Sequence, residues 1–261
     1  MTEAVQLSAF QPNPDYGSGV TRRRIQLRAE PGRVWCGLTD SFHGMHCTLR
    51  HDGRVITDVQ AEMLRFPTDS CPGAPLALRE LIGIPVTLPT AELYAGGRQR
   101  RHCTHLFDLA GLALAQIGRG VGTRRYDVTV PDQGPNPIEV EVRLDGTIVH
   151  RWRIFGREIV APERLAGRPM LQGFNQWAQA EFSGDALEAA TVLMRTVFIS
   201  RGRRVLIDEM HGKPVGSNNP MRDVCFSYAG ERLDQTHYLA RHQREFAHGI
   251  PEDYVEDFLT P

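Results

Sequence analysis

Lysine is all but missing from this 261-residue chain: Lys213 is the only one, and the remaining bases are arginine. With a net charge of −1 and acidic residues spread through the same segments, the arginine clusters leave no basic footprint, so a nucleic-acid partner is not expected. The lysine shortage reads as genomic base composition. No window approaches the ~18 uncharged apolar residues that a membrane-crossing helix needs, and Met1 to Gly19 has no basic stretch leading into an apolar run. Neither a membrane partner nor secretion is expected. The five cysteines, Cys36, Cys47, Cys71, Cys103 and Cys225, form an odd set without a CxxC pair. Thiols in a reducing, cytoplasmic compartment are therefore expected. There is no G-x-S-x-G elbow, no HExxH and no GK[ST], and the glycine strings Gly118 to Gly122 and Gly17 to Gly19 lack the strand-to-helix setting of a nucleotide loop. Serine-hydrolase chemistry and nucleotide cofactors have no anchor, and no cofactor is expected.

What is present is an alternation of strands and helices. Residues 22–30 and 33–42 read as strands broken at Pro31-Gly32. The stretch from Cys47 to His51 pairs across Asp52-Gly53 with a strand over 55–66. A helix is expected from Cys71 to Ile82, a short strand near 84–88, and a turn through Gly96-Gly97. From Cys103, the apolar positions Leu106, Leu109, Ala110, Ala113 and Ile117 predict an amphipathic helix ended by Gly118 and Gly120. Strands follow over 124–130, 138–144 and 147–155, then helices near 169–181 and 185–200. The fold class expected is α+β, antiparallel sheets with packed helices.

Three local similarities suggest an internal duplication with a pseudo-two-fold arrangement. Arg22 to Arg24 resembles Arg124 to Tyr126, Leu49 to Gly53 resembles Val142 to Gly146, and Ile117 to Gly120 resembles Ile199 to Gly202. The organisation expected is an entry segment (1–20), a first half (21–122), a second half (123–204) and an extension (205–261). In that extension, strands near 205 and 224–228 and a last helix from Pro251 are expected.

Three groups could carry chemistry. Arg101-His102-Cys103-Thr104-His105 lies where a loop enters a helix, and a helix N-terminus disfavours an imidazolium, so His105 should be neutral, the form a general base needs. The plainer interpretation is a capping Cys103 or Thr104 beside a packing histidine. Asp40, His43 and His46 cluster at a strand end, and Cys71 precedes a helix. Together these could make a metal site by composition, but no ligand spacing supports one and no metal is expected. Trp152, Phe155, Phe174 and Trp177 are core or an apolar wall for a planar ligand. His237, Arg241 and His242 read as a solvated surface, with completion of a site from the tail as the lesser alternative.

Arg22 to Ile25, Asp40, the Asp-Gly hairpin, Pro67 followed by Cys71, Leu81-Ile82-Gly83, and Cys103-Thr104-His105-Leu106 with Asp108-Leu109 and Gln116 resemble a bacterial family catalogued as a domain of unknown function with a CTHL signature. The resemblance covers about residues 20–120. It departs at Arg101-His102, where glycine is expected. It implies a role in aromatic-compound catabolism and, in one branch similar to phenylcoumaran γ-formaldehyde lyases, the cofactor-independent removal of formaldehyde from a lignin-derived dimer.

The resulting expectation is an enzyme, a carbon–carbon lyase, acting on an aromatic small molecule by acid/base elimination. His105, Asp40, His43, Cys103 and Cys71 are the catalytic candidates, and Arg101, Arg65, Trp152 and Trp177 the substrate-binding ones. A homo-oligomer is left open. The alternative is a non-catalytic or metal-binding accessory protein with a structural Cys/His site.

Overall fold

A computed structural model describes residues 10–216, 219 and 221–251. The first four strands are β1 (Val20–Glu30), β2 (Arg33–Asp40), β3 (Gly44–His51) and β4 (Ile56–Arg65). Gly32 and Gly53 close two of their turns at φ of 73° and 87°, a backbone region where a side chain would be strained. Short helices α1 (Ala74–Leu78) and α2 (Thr90–Leu93) lead to the long α3 (Thr104–Arg119). A second run of strands, β5 (Gly122–Pro131), β6 (Ile138–Leu144), β7 (Thr147–Phe155) and β8 (Glu158–Ala161), leads to α4 (Phe174–Glu181) and α5 (Gly184–Ser200).

All eight strands join one antiparallel sheet in the order β4-β3-β2-β1-β5-β6-β7-β8. The α+β expectation holds. Alternation along β1 decides its two faces: Thr21, Arg23, Ile25, Leu27 and Ala29 are buried, and Arg23 and Ile25 border the space beneath α3 and α5. Helix α3 lies over β2 and β3, and α5 over β5 and β6. Leu106, Phe107, Leu109, Ala110, Ala113 and Leu114 form the buried stripe of α3. On the other face, Arg22 Nε donates to the Phe246 carbonyl at 2.7 Å and Arg24 Nη1 to that of Pro251 at 3.3 Å, so the last described residues lie across the middle of the sheet. Among the described residues, no helix is long and apolar enough to cross a membrane.

The strand order reads alike from both edges, with β1 and β5 at its centre and a long helix after each four-strand run. Two of the three local similarities fall on corresponding elements, the β1/β5 pair and the ends of α3 and α5. The third does not: Asp52-Gly53 joins the third and fourth strands of its run, whereas Asp145-Gly146 joins the second and third. Internal duplication remains a proposal, supported by the order and by two similarities.

Several elements differ from expectation. Residues 84–88 form a loop with a single bridge, Val55 to Pro85, because Pro85 has no N–H to continue a ladder. The helix expected from 169 starts only at Phe174, after Gly173 takes φ of 85°. The strand expected at 205 is one bridge, Pro12 to Val205, and 224–228 ends in a 3-10 turn, Phe226–Tyr228. The short edge strand β8 was not expected. The helix proposed from Pro251 lies outside the described residues.

Candidate functional site

The site is built where β1 meets β2 beneath the start of α3. Arg23 stands directly opposite Asp40 in the strand register. Its Nε and Nη2 donate to Asp40 Oδ2 at 3.1 and 2.7 Å, with the two side chains 2% and 0% exposed. Asp40 is the last residue of β2, and the chain bends around its other oxygen. Oδ1 accepts the N–H groups of Phe42 at 2.7 Å and His43 at 2.8 Å and lies 3.1 Å from His43 Nδ1. Burial opposes ionisation of Asp40, but His43 and Arg23 outweigh it and hold the carboxyl well below the usual carboxylate range.

The His43 ring packs 4.4 Å, centroid to centroid, from that of His105 in the first turn of α3. His105 is 8% exposed, and its Nδ1 has no hydrogen-bond partner. Its pKa lies well below the ordinary imidazole value, first through burial and then through the neighbouring His43 and Arg23, against the opposing pull of Asp40. Neutrality was expected from the helix terminus; the structure assigns it to desolvation and neighbouring charge. Cys103 occupies the N-cap position, with no side-chain cap bond.

His105 and Arg23 border a cavity of about 300 Å³ between α3 and α5, floored by Ile25 and Leu38. The polar residues that also line it include Asp108, Tyr94 and Arg195. Asp108 lies one turn after His105 on the same helical face. Tyr94 Oη donates to Asp108 Oδ1 at 2.9 Å, and Arg195 Nε, from α5, lies 2.8 Å from Asp108 Oδ2. Burial first, and then Asp108, raises the Tyr94 hydroxyl well above its ordinary pKa.

Asp40 and His43 reach this cavity only through Arg23 and His105. Arg65 is buried and does not border it: its Nη2 donates to the carbonyls of Asp40 at 2.6 Å and His43 at 2.7 Å, and its Nη1 to that of His242 at 2.6 Å. Arg65 therefore fixes the bend that carries Asp40 and His43, in place of the substrate contact expected of it. Arg101 is 65% exposed, 3.5 Å from Glu80, and outside the cavity lining. Trp152 and Trp177 are 2% and 7% exposed and pack with Phe174 and Phe182, so these members of the expected aromatic wall are core, while Phe155 is 50% exposed and outside the cavity lining. His242, expected on a solvated surface, is 2% exposed and packs its ring near Phe42.

Cys71 and Cys103 belong to a separate cluster with Cys225. Cys71 Sγ lies 3.1 Å from Thr68 Oγ1 and 3.3 Å from Ser227 Oγ. Burial raises all three thiols, Cys225 to about 11. None of them lines the cavity. Among the described residues, no group of three or more His, Cys, Asp or Glu is arranged to hold a metal ion.

Sequence reasoning took Arg23 only within the run Arg22 to Arg24, as an arginine cluster, a duplication signal and part of the resemblance, and Asp108 only as part of the resemblance. The His105/Asp108 spacing of three on one helix would have paired them. Tyr94 and Arg195 carried no sequence signal.

Residues 31–117 match the family described as "Protein of unknown function (DUF2889)". The matched segment runs from the turn before β2 to near the end of α3 and contains Asp40, His43, Tyr94, His105 and Asp108. Arg23 and Arg195 lie outside it. No curated protein matches the chain.

Proposed function

We propose that this chain is a cofactor-independent carbon–carbon lyase that acts on an aromatic small molecule by acid/base elimination at His105. The observation that carries the reading is a neutral, buried imidazole with an unpartnered Nδ1, beside a guanidinium, on the wall of a cavity sized for a small ligand. The resemblance to a family branch that removes formaldehyde supplies the substrate: a lignin-derived, phenylcoumaran-type dimer.

In this mechanism the His105 imidazole takes the O–H proton of a primary alcohol. The bond between the carbinol carbon and its neighbour then breaks and releases formaldehyde. Its electron pair forms the stilbene double bond as the aryl ether C–O bond breaks, and the oxygen departs as phenoxide. Arg23, held by Asp40, stabilises that oxygen, and the imidazolium returns the proton to it. Substrate therefore becomes stilbene plus formaldehyde with no external oxidant or reductant. Asp40 and His43 position Arg23 and His105, and Arg65 holds the bend that carries them.

The alternative is an accessory protein with a structural Cys/His site; among the described residues no group of three or more His, Cys, Asp or Glu is arranged to hold a metal ion. The test incubates the purified full chain, without added metal, with a phenylcoumaran-type dimer and follows formaldehyde and stilbene together. Equimolar release of both is expected. Absence of both products, with stoichiometric zinc or iron in the protein and unfolding on chelation, would favour the accessory role.

A further inference from the structure

The cavity is chemically two-ended. At one end stand His105 and Arg23. One to two turns further along α3, the wall carries oxygens whose own protons are already used, beside the Arg195 guanidinium. Tyr94 Oη gives its proton to Asp108 Oδ1 at 2.9 Å, and Thr191 Oγ1 gives its proton to the Leu187 carbonyl at 2.9 Å. Each is left with lone pairs only. Asp108 Oδ2 is buried and has an ion-pair neighbour in Arg195 at 2.8 Å but no aligned hydrogen bond. Glu188, on the same face of α5, already accepts from Arg119 Nη2 at 2.6 Å and Tyr126 Oη at 2.8 Å.

We infer that Tyr94, Asp108 and Thr191 form an acceptor wall that selects a neutral ligand presenting a free hydroxyl, and that rejects its methyl ether and a carboxylate. An O–H pointing at Tyr94 Oη or Thr191 Oγ1 meets a free lone pair, whereas an ether oxygen there meets lone pairs with its own, and a carboxylate would in addition have to draw Arg195 away from Asp108. A cationic ligand is not favoured, because Asp108 is balanced by Arg195 and Glu188 by Arg119. The carboxamides of Asn175 and Gln179, also on the lining, can donate or accept. The hydroxyl partner of choice is a phenol, since the rest of the lining includes Ile25, Leu38, Leu187 and Val192.

Gly111 explains how Tyr94 reaches its place. A methyl on Gly111 would stand 2.9 Å from Tyr94 Oη, so only glycine lets that hydroxyl lie against α3 within reach of Asp108.

This inference shares with the proposed function only the assumption that the cavity is the ligand site. Its test therefore uses probes that lack the hydroxymethyl group and do not react: 4-propylphenol, 4-propylanisole and 4-propylbenzoate, titrated into the full chain by calorimetry. A hydrogen bond to charged or charge-coupled acceptors separates phenol from anisole by about ten- to a hundredfold in Kd, with benzoate weakest. Tyr94→Phe, Thr191→Val and Gly111→Ala should each shrink the phenol preference while leaving anisole binding within about threefold, with thermal unfolding confirming that each variant is folded. Equal affinity for phenol and anisole, tightest binding of benzoate, or binding of none of the three by the unaltered protein overturns the inference. Selective phenol binding without turnover of the dimer would leave the acceptor wall standing and remove the lyase reading.

Discussion

Replacing Asp40 by Asn tests the electrostatic frame beneath the cavity. Asn can still accept the Phe42 and His43 N–H groups that now bond Oδ1 at 2.7 and 2.8 Å, but it removes the charge opposite Arg23, which is 2% exposed and bonds Asp40 at 2.7 Å. An uncompensated buried charge of this kind costs roughly 3–5 kcal/mol, a large share of the ~5–15 kcal/mol that holds a folded domain. At about 2–4 °C per kcal/mol for a chain of this size, the melting midpoint should fall by roughly 6–20 °C. The pH dependence has a definite sign. The folded carboxyl titrates well below its unfolded value, so its stabilisation is complete above about pH 4 and is lost as pH falls towards the folded pKa. The gap between parent and Asp40→Asn in urea unfolding should therefore be full at pH 7 and shrink below about pH 4. Equal urea midpoints at pH 7 would refute the claim that this pair organises the site.

Other expectations follow from the same geometry. His242 has a pKa lowered to about 4, through burial first and then the neighbouring His43. Because the unfolded chain takes up this proton first, stability should fall by on the order of 2–3 kcal/mol as pH drops from about 6.5 to 4, and His242→Leu should flatten that slope in urea titrations. The three clustered thiols are raised by burial, so iodoacetamide should label native protein at pH 8 far more slowly than unfolded protein, and Cys103→Ala should change turnover less than about tenfold. Rapid labelling of Cys103 in the folded state would contradict its placement. Trp152→Ala should cost about 3–5 kcal/mol in stability while leaving probe affinity in the cavity unchanged, because the ring is core and not ligand wall.

How much of this was readable in the sequence depended on the range of the interaction. The strand alternation, the Asp52-Gly53 turn and the stripe from Leu106 to Ala113 are local patterns, and they led to the right elements. The pairing of β1 with β5 is not local, and only the faint likeness of Arg22 to Arg24 with Arg124 to Tyr126 pointed to it. His105 was identified because a loop-to-helix junction is a local feature. Its separation from Cys103, two residues away but in another cluster, depends on which way each side chain leaves the first turn. Trp152 and Trp177 were ambiguous because an apolar wall and a core look alike in one dimension. Arg65 and His242 could not have been placed, since their roles come from the chain beyond residue 240 folding back onto the bend at residues 41–43.

The central claim is that His105 is the base of this cavity. Its most direct test is the rate of formaldehyde release from a phenylcoumaran-type dimer by His105→Gln beside the parent protein, both shown to be folded and to bind 4-propylphenol alike. A general base contributes about 10²–10⁴-fold, so the account expects a loss within that range, unaffected by added metal. A variant that keeps the full rate would contradict it.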